Sequence, residues 1–167
     1  MKKIIFFLCF VIMLFSLSAC DPGTFIISQD ALKDVISIEL IEYKNPSQKH
    51  FTSWVPNHFE DLQSFNTVNV TVIETLQDEK KAEFLDSFMQ TDILNTYYAY
   101  DSPADICIRL NYENGNFLII WANYKENSFA GYIGEYSADG SVLSFWGSFS
   151  GLFYYQDLIN NFFTYNI

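Results

Sequence analysis

The chain around residues 106–121 alternates apolar and polar positions on both sides of an Asn-Gly pair. Ile106–Glu113 and Asn116–Trp121 each have the alternation of a strand, and Asn114-Gly115 stands between them. Asn-Gly is the preferred sequence of a two-residue type I′ turn, because both residues tolerate a positive φ. The pattern therefore predicts a β-hairpin. Such a turn would place six side chains on one face, in the pairs Tyr112 with Phe117, Leu110 with Ile119, and Ile108 with Trp121.

Other stretches predict further strands. Val35–Tyr43 alternates apolar and polar residues, and Val68–Ile73 is dense in β-branched residues. Ala130–Ser137 and Ser141–Gly147 predict a second hairpin around Asp139-Gly140. Residues 46–66 have no clean period, so they are predicted to form a long loop. Sequential hairpins favour antiparallel pairing, and the chain contains nothing that resembles repeated βαβ units.

Two helices are predicted beside these strands. Glu79–Met89 places Phe84, Leu85, Phe88 and Met89 at helical spacing, with charged residues on the opposite side. A C-terminal helix would close one face of the sheet with an apolar stripe formed by Leu152, Tyr155, Ile159, Phe162 and Phe163. The predicted fold class is therefore α+β, an antiparallel β-meander of four or more strands with two helices packed on it.

The N-terminal residues follow a different pattern. Lys2 and Lys3 precede the apolar run Ile4–Phe15, whose twelve residues fall short of the roughly 20 that span a bilayer. A basic start, an apolar run and a small-residue end are typical of a secretory signal peptide. Leu17-Ser18-Ala19-Cys20 resembles the lipobox of bacterial lipoproteins. The resemblance implies cleavage before Cys20 and a diacylglyceryl group on its thiol.

We therefore expect three parts in the chain. They are a lipoprotein signal peptide over residues 1–19, a lipidated tether over 20–33, and a single α+β domain over 34–167. Two or more acyl chains hold a protein stably on a bilayer, whereas one chain holds it only marginally. The expected location is the cell membrane, on the side facing away from the cytoplasm. The membrane partner would be bound through the acyl chains on Cys20.

Charge narrows the classes of partner. Loss of Lys2 and Lys3 with the signal peptide leaves seven basic residues against 20 acidic ones, a net charge of −13 in a mature chain of 148 residues. Such a charge excludes nucleic acid as a partner, because phosphate binding needs Lys and Arg. It also excludes polybasic attraction to anionic lipid, so the acyl group must supply the membrane affinity. Cations and basic proteins would be attracted weakly.

The expected cleavage before Cys20 also decides which cysteines remain in the mature chain. Cys9 leaves with the signal peptide and Cys20 is expected to be lipidated, so Cys107 is the only thiol of the body and no internal disulfide can form. A lone cysteine in an exported protein is either a buried small hydrophobe or a reactive thiol. Because Cys107 lies in the strand-like Ile106–Ile108, we expect it to be buried.

Motifs for catalysis or metal binding are missing from the sequence. It contains no phosphate loop, no Gly-x-Ser-x-Gly, no Cys-x-x-Cys and no His-Glu-x-x-His. His50 and His58, the two histidines, lie near Glu60 and Asp61, and imidazole and carboxylate groups do bind zinc. Their spacing matches no recurring site, so we expect neither a metal nor a cofactor. Cys107 could also act as a nucleophile together with a distant histidine, but the expected burial of its thiol argues against this role.

Acidic pairs and aromatic runs leave two alternatives open. Asp101 and Asp105 could form the carboxylate pair of a glycosidase, but twenty acids produce such pairs by chance. Tyr97–Tyr100 and Phe153–Tyr155 could stack on sugars or peptides, although such rings more often pack in a core or at its rim. An exposed apolar patch of more than a few hundred Å² would favour a binding site.

Three stretches together resemble small lipoproteins of low-GC Gram-positive bacteria. They are Ile36–Asn45, Asp78–Leu85 and Leu110–Gly115, in the order strand, helix and Tyr-x-Asn-Gly hairpin, followed by an aromatic C-terminal helix. These motifs are structural, so the resemblance implies only the location and the fold of the protein. It assigns no catalytic residue. The leading hypothesis is a non-enzymatic binding domain, such as an immunity or inhibitor lipoprotein. The alternative is an envelope hydrolase with a carboxylate pair.

Overall fold

A computed structural model describes residues 24–25, 27–43, 64–90, 93–94, 106–122, 130–150 and 152–165. Three α-helices are present in these ranges: α1 (Gln29–Leu32), α2 (Asp78–Met89) and α3 (Leu152–Phe162). A 3-10 turn covers Thr67–Asn69. The strands are β1 (Thr24–Phe25), β2 (Val35–Tyr43), β3 (Val70–Thr75), β4 (Ile93–Leu94), β5 (Ile106–Tyr112), β6 (Phe117–Ala122), β7 (Ala130–Tyr136) and β8 (Val142–Ser150).

All eight strands belong to one sheet, in the order β1-β4-β8-β7-β6-β5-β2-β3. Every neighbouring pair is antiparallel. Strands β5 to β8 form a meander, and β2 joins this meander beside β5 and carries β3 on its other side. The predicted α+β class is confirmed, and so are the two longer helices and the second hairpin.

The turn of that second hairpin is held by an aspartate. Asp139 Oδ1 accepts hydrogen bonds from the Ser137 hydroxyl at 2.6 Å and the Ser141 backbone N–H at 2.9 Å. These bonds lower the pKa of Asp139 to about 2, because they favour the ionised carboxylate. Gly140 follows with a φ of +87°, the left-handed conformation in which glycine avoids the Cβ penalty.

The first hairpin has a different turn from the predicted one. Tyr112 N–H donates to the Asn116 carbonyl at 2.9 Å and Gly115 N–H donates to the Tyr112 carbonyl at 3.0 Å. The connection is therefore the three residues 113–115, with Gly115 left-handed at a φ of +86°. The predicted register is wrong by one residue, since the observed pairs are Asn111 with Phe117, Leu110 with Leu118, and Cys107 with Trp121.

This shift changes which residues of β5 and β6 share a face, because a slip of one residue turns every side chain of a strand to the other face. Both faces of the sheet are buried. The first, here called the helix face, buries Ile108 and Leu110 together with Leu118 and Ile120. The second, here called the aromatic face, buries Cys107 with alternate residues of the neighbouring strands, among them Ile41, Tyr43, Phe117, Ile119, Trp121 and Tyr136.

Helices α2 and α3 cover the helix face, as predicted for the C-terminal helix. Phe84 and Phe88 of α2 are at most 1 % exposed and pack in the same cluster as Leu158 and Ile159 of α3. The two helices meet where the rings of Phe84 and Phe162 lie 5.3 Å apart in an edge-to-face arrangement. Burial of these side chains stabilises the fold by roughly 1.5–3 kcal/mol for each one.

Phe65 packs in the centre of the aromatic face. Its ring stacks on Tyr43 with centroids 4.7 Å apart and meets Phe117, Trp121 and Tyr136 at 5.3–5.6 Å. Phe65 precedes β3, and its backbone N–H donates to the carbonyl of Gly140 at 2.8 Å. The segment that leads into β3 is thereby attached to the β7–β8 turn.

The N-terminal residues enter the fold earlier than the predicted boundary at residue 34. Thr24–Phe25 pairs with β4, and Ile27 and Leu32 are each 3 % exposed within the core of the helix face. Ser28 caps α1 by accepting a hydrogen bond from the Ala31 N–H at 3.3 Å. Elements of two and four residues are too short to show a period, which is why the sequence pattern indicated only a tether there.

None of the helices in the described ranges has the length and apolar character that a bilayer span requires.

Candidate functional site

Most residues that the sequence offered for chemistry lie outside the described residues. This applies to the lipidation residue Cys20, to the aromatic run Tyr97–Tyr100, and to the candidate ligands and acids His50, His58, Glu60, Asp61, Asp101 and Asp105. Phe153–Tyr155 lies on α3, but the side chains of these three residues are also outside the described part. Among the described residues, no group of three His, Cys, Asp or Glu side chains could hold a metal ion.

Cys107 is buried, as predicted. It lies on the interior strand β5 with 0 % exposure and pairs with Trp121 on the neighbouring strand β6. Burial raises the pKa of the Cys107 thiol well above its usual value, because an apolar surrounding disfavours the thiolate. A nucleophilic cysteine requires the thiolate. The site is therefore unsuited to thiol chemistry.

Two half-buried carboxylates have their hydrogen bonds occupied within the fold. Glu39 Oε2 accepts from Arg109 Nε at 2.9 Å and from Arg109 Nη2 at 2.5 Å, on the aromatic face. Glu135 Oε2 accepts from the Ser144 hydroxyl at 2.8 Å and from the indole N–H of Trp146 at 2.9 Å. Both carboxylates are therefore engaged in hydrogen bonds within the sheet.

A depression of about 310 Å³ at the β5–β6 turn has two further acidic residues in its lining. It is lined by Asp34, Tyr112, Glu113 and Asn114. Asp34 and Glu113 are both exposed, and the phenolic oxygen of Tyr112 is buried away from solvent. A carboxyl group that acts as a general acid near neutral pH is usually kept protonated by an apolar surrounding. Asp34 and Glu113 are exposed and lack such an apolar surrounding.

Strand β3 and the turn before it present exposed apolar side chains at one end of the described sheet. Strand β3 is one of the two terminal strands of the sheet order and pairs, within the described residues, only with β2. Val72 and Ile73 are 45 % and 39 % exposed, and Val68 in the preceding turn is 87 % exposed. Terminal strands offer unpaired backbone N–H and C=O groups, which makes them templates for another strand.

The sequence of this edge lacks the common protective residues. Natural edge strands are shielded by lysine, proline, inward-pointing charges or bulges. Residues 64–77 contain no Lys, Arg or Pro, and Glu74 is their only charged residue. One protective feature is present: Ile73 is an extra residue between Val72, which pairs with Ile41, and Glu74, which pairs with Leu40. A bulge of this kind twists the strand and disfavours open-ended stacking.

A second concave surface lies between α1 and α2. This cleft has a volume of about 360 Å³, and its mostly apolar lining includes Leu32, Val35, Ala82, Leu85 and Met89. Lys33, Lys81 and Asp86 also line it. Lys81 is already engaged, since its ammonium donates to the Ile36 carbonyl at 3.1 Å. The lining thus carries charges of both signs and favours neither anions nor cations.

The sequence pattern predicts the strand at residues 68–73 but not its place at the edge of the sheet. The absence of Lys, Arg and Pro over residues 64–77 was the available signal. That signal has meaning only once the strand order is known, since a central strand has the same composition. No protein-family model, no curated protein sequence and no solved structure matches this chain.

Proposed function

We propose that the mature chain is a lipid-anchored extracytoplasmic lipoprotein whose body is a non-enzymatic binding domain. The location rests on the sequence, namely the signal-peptide pattern of residues 1–19 and the resemblance of Leu17-Ser18-Ala19-Cys20 to a lipobox. Acyl chains on Cys20 would hold the domain on the outer face of the membrane.

The observation that carries the binding role is the exposed edge of β3. An extended segment of a partner protein would add to this edge as a further strand, with main-chain hydrogen bonds supplying affinity. Val68, Val72 and Ile73 would contact the side chains of the segment and become shielded from water. Immunity and inhibitor lipoproteins, which intercept another protein, are one form of this function.

The described carboxylates support a binding domain over the alternative envelope hydrolase. Glu39 and Glu135 are engaged inside the sheet, and Asp34 and Glu113 are exposed. The edge of β3, by contrast, offers both main-chain groups and apolar side chains that burial would stabilise by about 25 cal/mol per Å².

Membrane attachment is tested by exchanging single cysteines in the full chain. Cys20→Ala should abolish incorporation of a clickable fatty acid and shift the protein from the membrane fraction to the medium. Cys9→Ala is the matched control, since Cys9 is expected to leave with the signal peptide. A Cys20→Ala protein that stays in the membrane at the wild-type level would refute the proposed location.

The docking edge is tested by photo-crosslinking in intact cells. A benzophenone side chain at Thr71, an exposed residue of β3, should give a discrete adduct that the added substitution Val72→Lys removes. The same crosslinker at Leu143, which is 44 % exposed on β8, should give none. Adducts from both positions, or an adduct at Thr71 that Val72→Lys leaves unchanged, would contradict docking at β3.

A further inference from the structure

The end of β3 that leads into α2 is negatively charged. Asp78 and Glu79 form the start of α2 and are both exposed. The positive end of the helix dipole, equivalent to about half a charge, offsets only part of these two carboxylates. Asp78 also touches Lys81, but at 3.4 Å and on a fully exposed carboxylate. A contact of that kind contributes little and is easily replaced.

The ammonium groups of the two lysines that follow these acids also donate to backbone oxygens of the fold. Lys80 Nζ donates to the carbonyl of Phe162 at 3.3 Å, beside α3. Lys81 Nζ donates to the carbonyl of Ile36 at 3.1 Å, on β2. Both contacts draw the positive charges toward backbone oxygens of the fold. Next to the end of β3, the carboxylates of Asp78 and Glu79 are thus offset only in part, through the exposed contact of Lys81 with Asp78.

The backbone of β3 points outward close to this charge. Leu76 N–H donates to the Ile38 carbonyl at 2.9 Å, so Leu76 faces β2. Successive residues of a strand point their N–H and C=O groups to opposite sides, and Thr75 therefore turns these groups away from β2. Thr75 is exposed and lies three residues before Asp78. A strand that bonds to Thr75 passes close to the acidic start of α2.

Every described pairing in the sheet is antiparallel, and antiparallel pairing is slightly more stable per residue than parallel pairing. An added antiparallel strand has its N-terminal end beside Thr75 and its C-terminal end beside Val70. Building on the proposed docking edge, we infer that β3 captures an extended segment with β-branched residues in the paired part and Lys or Arg at its N-terminal end. The net charge of −13 expected for the mature chain would also attract such a segment from a distance.

The inference is tested with two peptides of identical composition, both acetylated and amidated. The first is Lys-Lys-Val-Thr-Val-Thr-Val, and the second has the two lysines moved to the C-terminal end. Binding is measured by surface plasmon resonance on the mature lipidated protein in nanodiscs. At low salt, about 50 mM, the first peptide should bind about fivefold more tightly, and the ratio should shrink at high salt.

Two variants separate this inference from the docking edge itself. Asp78→Asn combined with Glu79→Gln should remove the preference between the peptides, whereas Val72→Lys should abolish binding of both. Equal affinity of wild type for the two peptides, with binding still lost in Val72→Lys, overturns the charged-end inference and leaves the docking edge standing. Failure of both peptides to bind, or binding that Val72→Lys does not change, overturns the docking edge and the inference with it.

Discussion

The backbone N–H of Phe65 donates to the carbonyl oxygen of Gly140, 2.8 Å away, although 75 residues separate them along the chain. The contact places the β7–β8 turn next to the segment that leads into β3. A Cβ on Gly140 would overlap the carbonyl oxygen of Phe65. Glycine is therefore required here both for its positive φ and for the close approach of two backbones.

We predict that Gly140→Ala destabilises the protein more than Gly115→Ala does. Both glycines have nearly the same φ, +87° and +86°, so alanine meets the same left-handed penalty at either position, about 1–2 kcal/mol. Only at position 140 does the new methyl group meet a backbone oxygen. Urea unfolding should show an additional loss of roughly 1–3 kcal/mol for Gly140→Ala. Equal losses would contradict the close contact with Phe65.

Phe65→Ala should cost about 3–5 kcal/mol, the usual range for removing a buried phenylalanine. The ring is 3 % exposed and packs against four aromatic neighbours. Val68→Ala is the matched control, since Val68 is 87 % exposed and its truncation should change the free energy of unfolding by less than about 0.5 kcal/mol. Denaturant unfolding compares the two, and a similar small effect from both would show that Phe65 is not part of the core.

A double-mutant cycle should reveal coupling between Glu39 and Arg109. Their side chains are only 16 % and 18 % exposed, so removing one partner leaves the other partly desolvated. Glu39→Met and Arg109→Met should each cost roughly 2 kcal/mol, and the double variant should lose less than the sum by about 1–2 kcal/mol. Asp78 and Lys81 provide the control pair, because their exposed contact should show no measurable coupling. Additive losses at Glu39 and Arg109 would contradict a coupled pair.

Stability should fall steeply in alkali because of buried phenols. Burial raises the pKa of Tyr136 and of Tyr112, and the carboxylate of Glu135 raises that of Tyr112 further. Above about pH 10 the unfolded chain therefore releases phenolic protons that the folded chain still holds. Each tyrosine then lowers the free energy of unfolding by up to about 1.4 kcal/mol per pH unit.

Tyr136→Phe and Tyr112→Phe should each flatten this decline, and the double variant should flatten it most. The measurement is urea unfolding at a series of pH values from about 8 to 11, where the region below about 9.5 serves as the internal baseline. A decline in the double variant as steep as that of wild type would show that other groups control the alkaline loss.

Local patterns in the sequence were sufficient for most strands and for both longer helices. Val35–Tyr43 and Glu79–Met89 were predicted within one residue of the observed elements, because each has a period long enough to identify. The register of the first hairpin was not predictable in the same way. Asn114-Gly115 fits both a two-residue turn and a three-residue turn with Gly115 left-handed, and the two differ by one residue in every pair.

The candidate site at the edge of β3 could not be predicted from patterns in the sequence. Val68, Val72 and Ile73 resemble residues of a buried strand, and only the sheet order makes them an edge. The same limitation applies to Phe65, which lies in a stretch predicted as a loop but packs at the centre of the aromatic face. Long-range contacts decide both cases, and a periodic pattern contains no information about them.

By itself, the sequence determined the α+β class, the burial of Cys107 and the identity of the main strands and helices, since each depends on neighbours close along the chain. It also supplies the expected lipid anchor at Cys20, because a lipobox is a contiguous motif. The tertiary structure alone decided that the sheet is buried on two faces, that Gly140 must contact Phe65, and that β3 is an edge strand among the described residues. These features depend on which strands become neighbours, and that choice is made by packing between residues far apart in the chain.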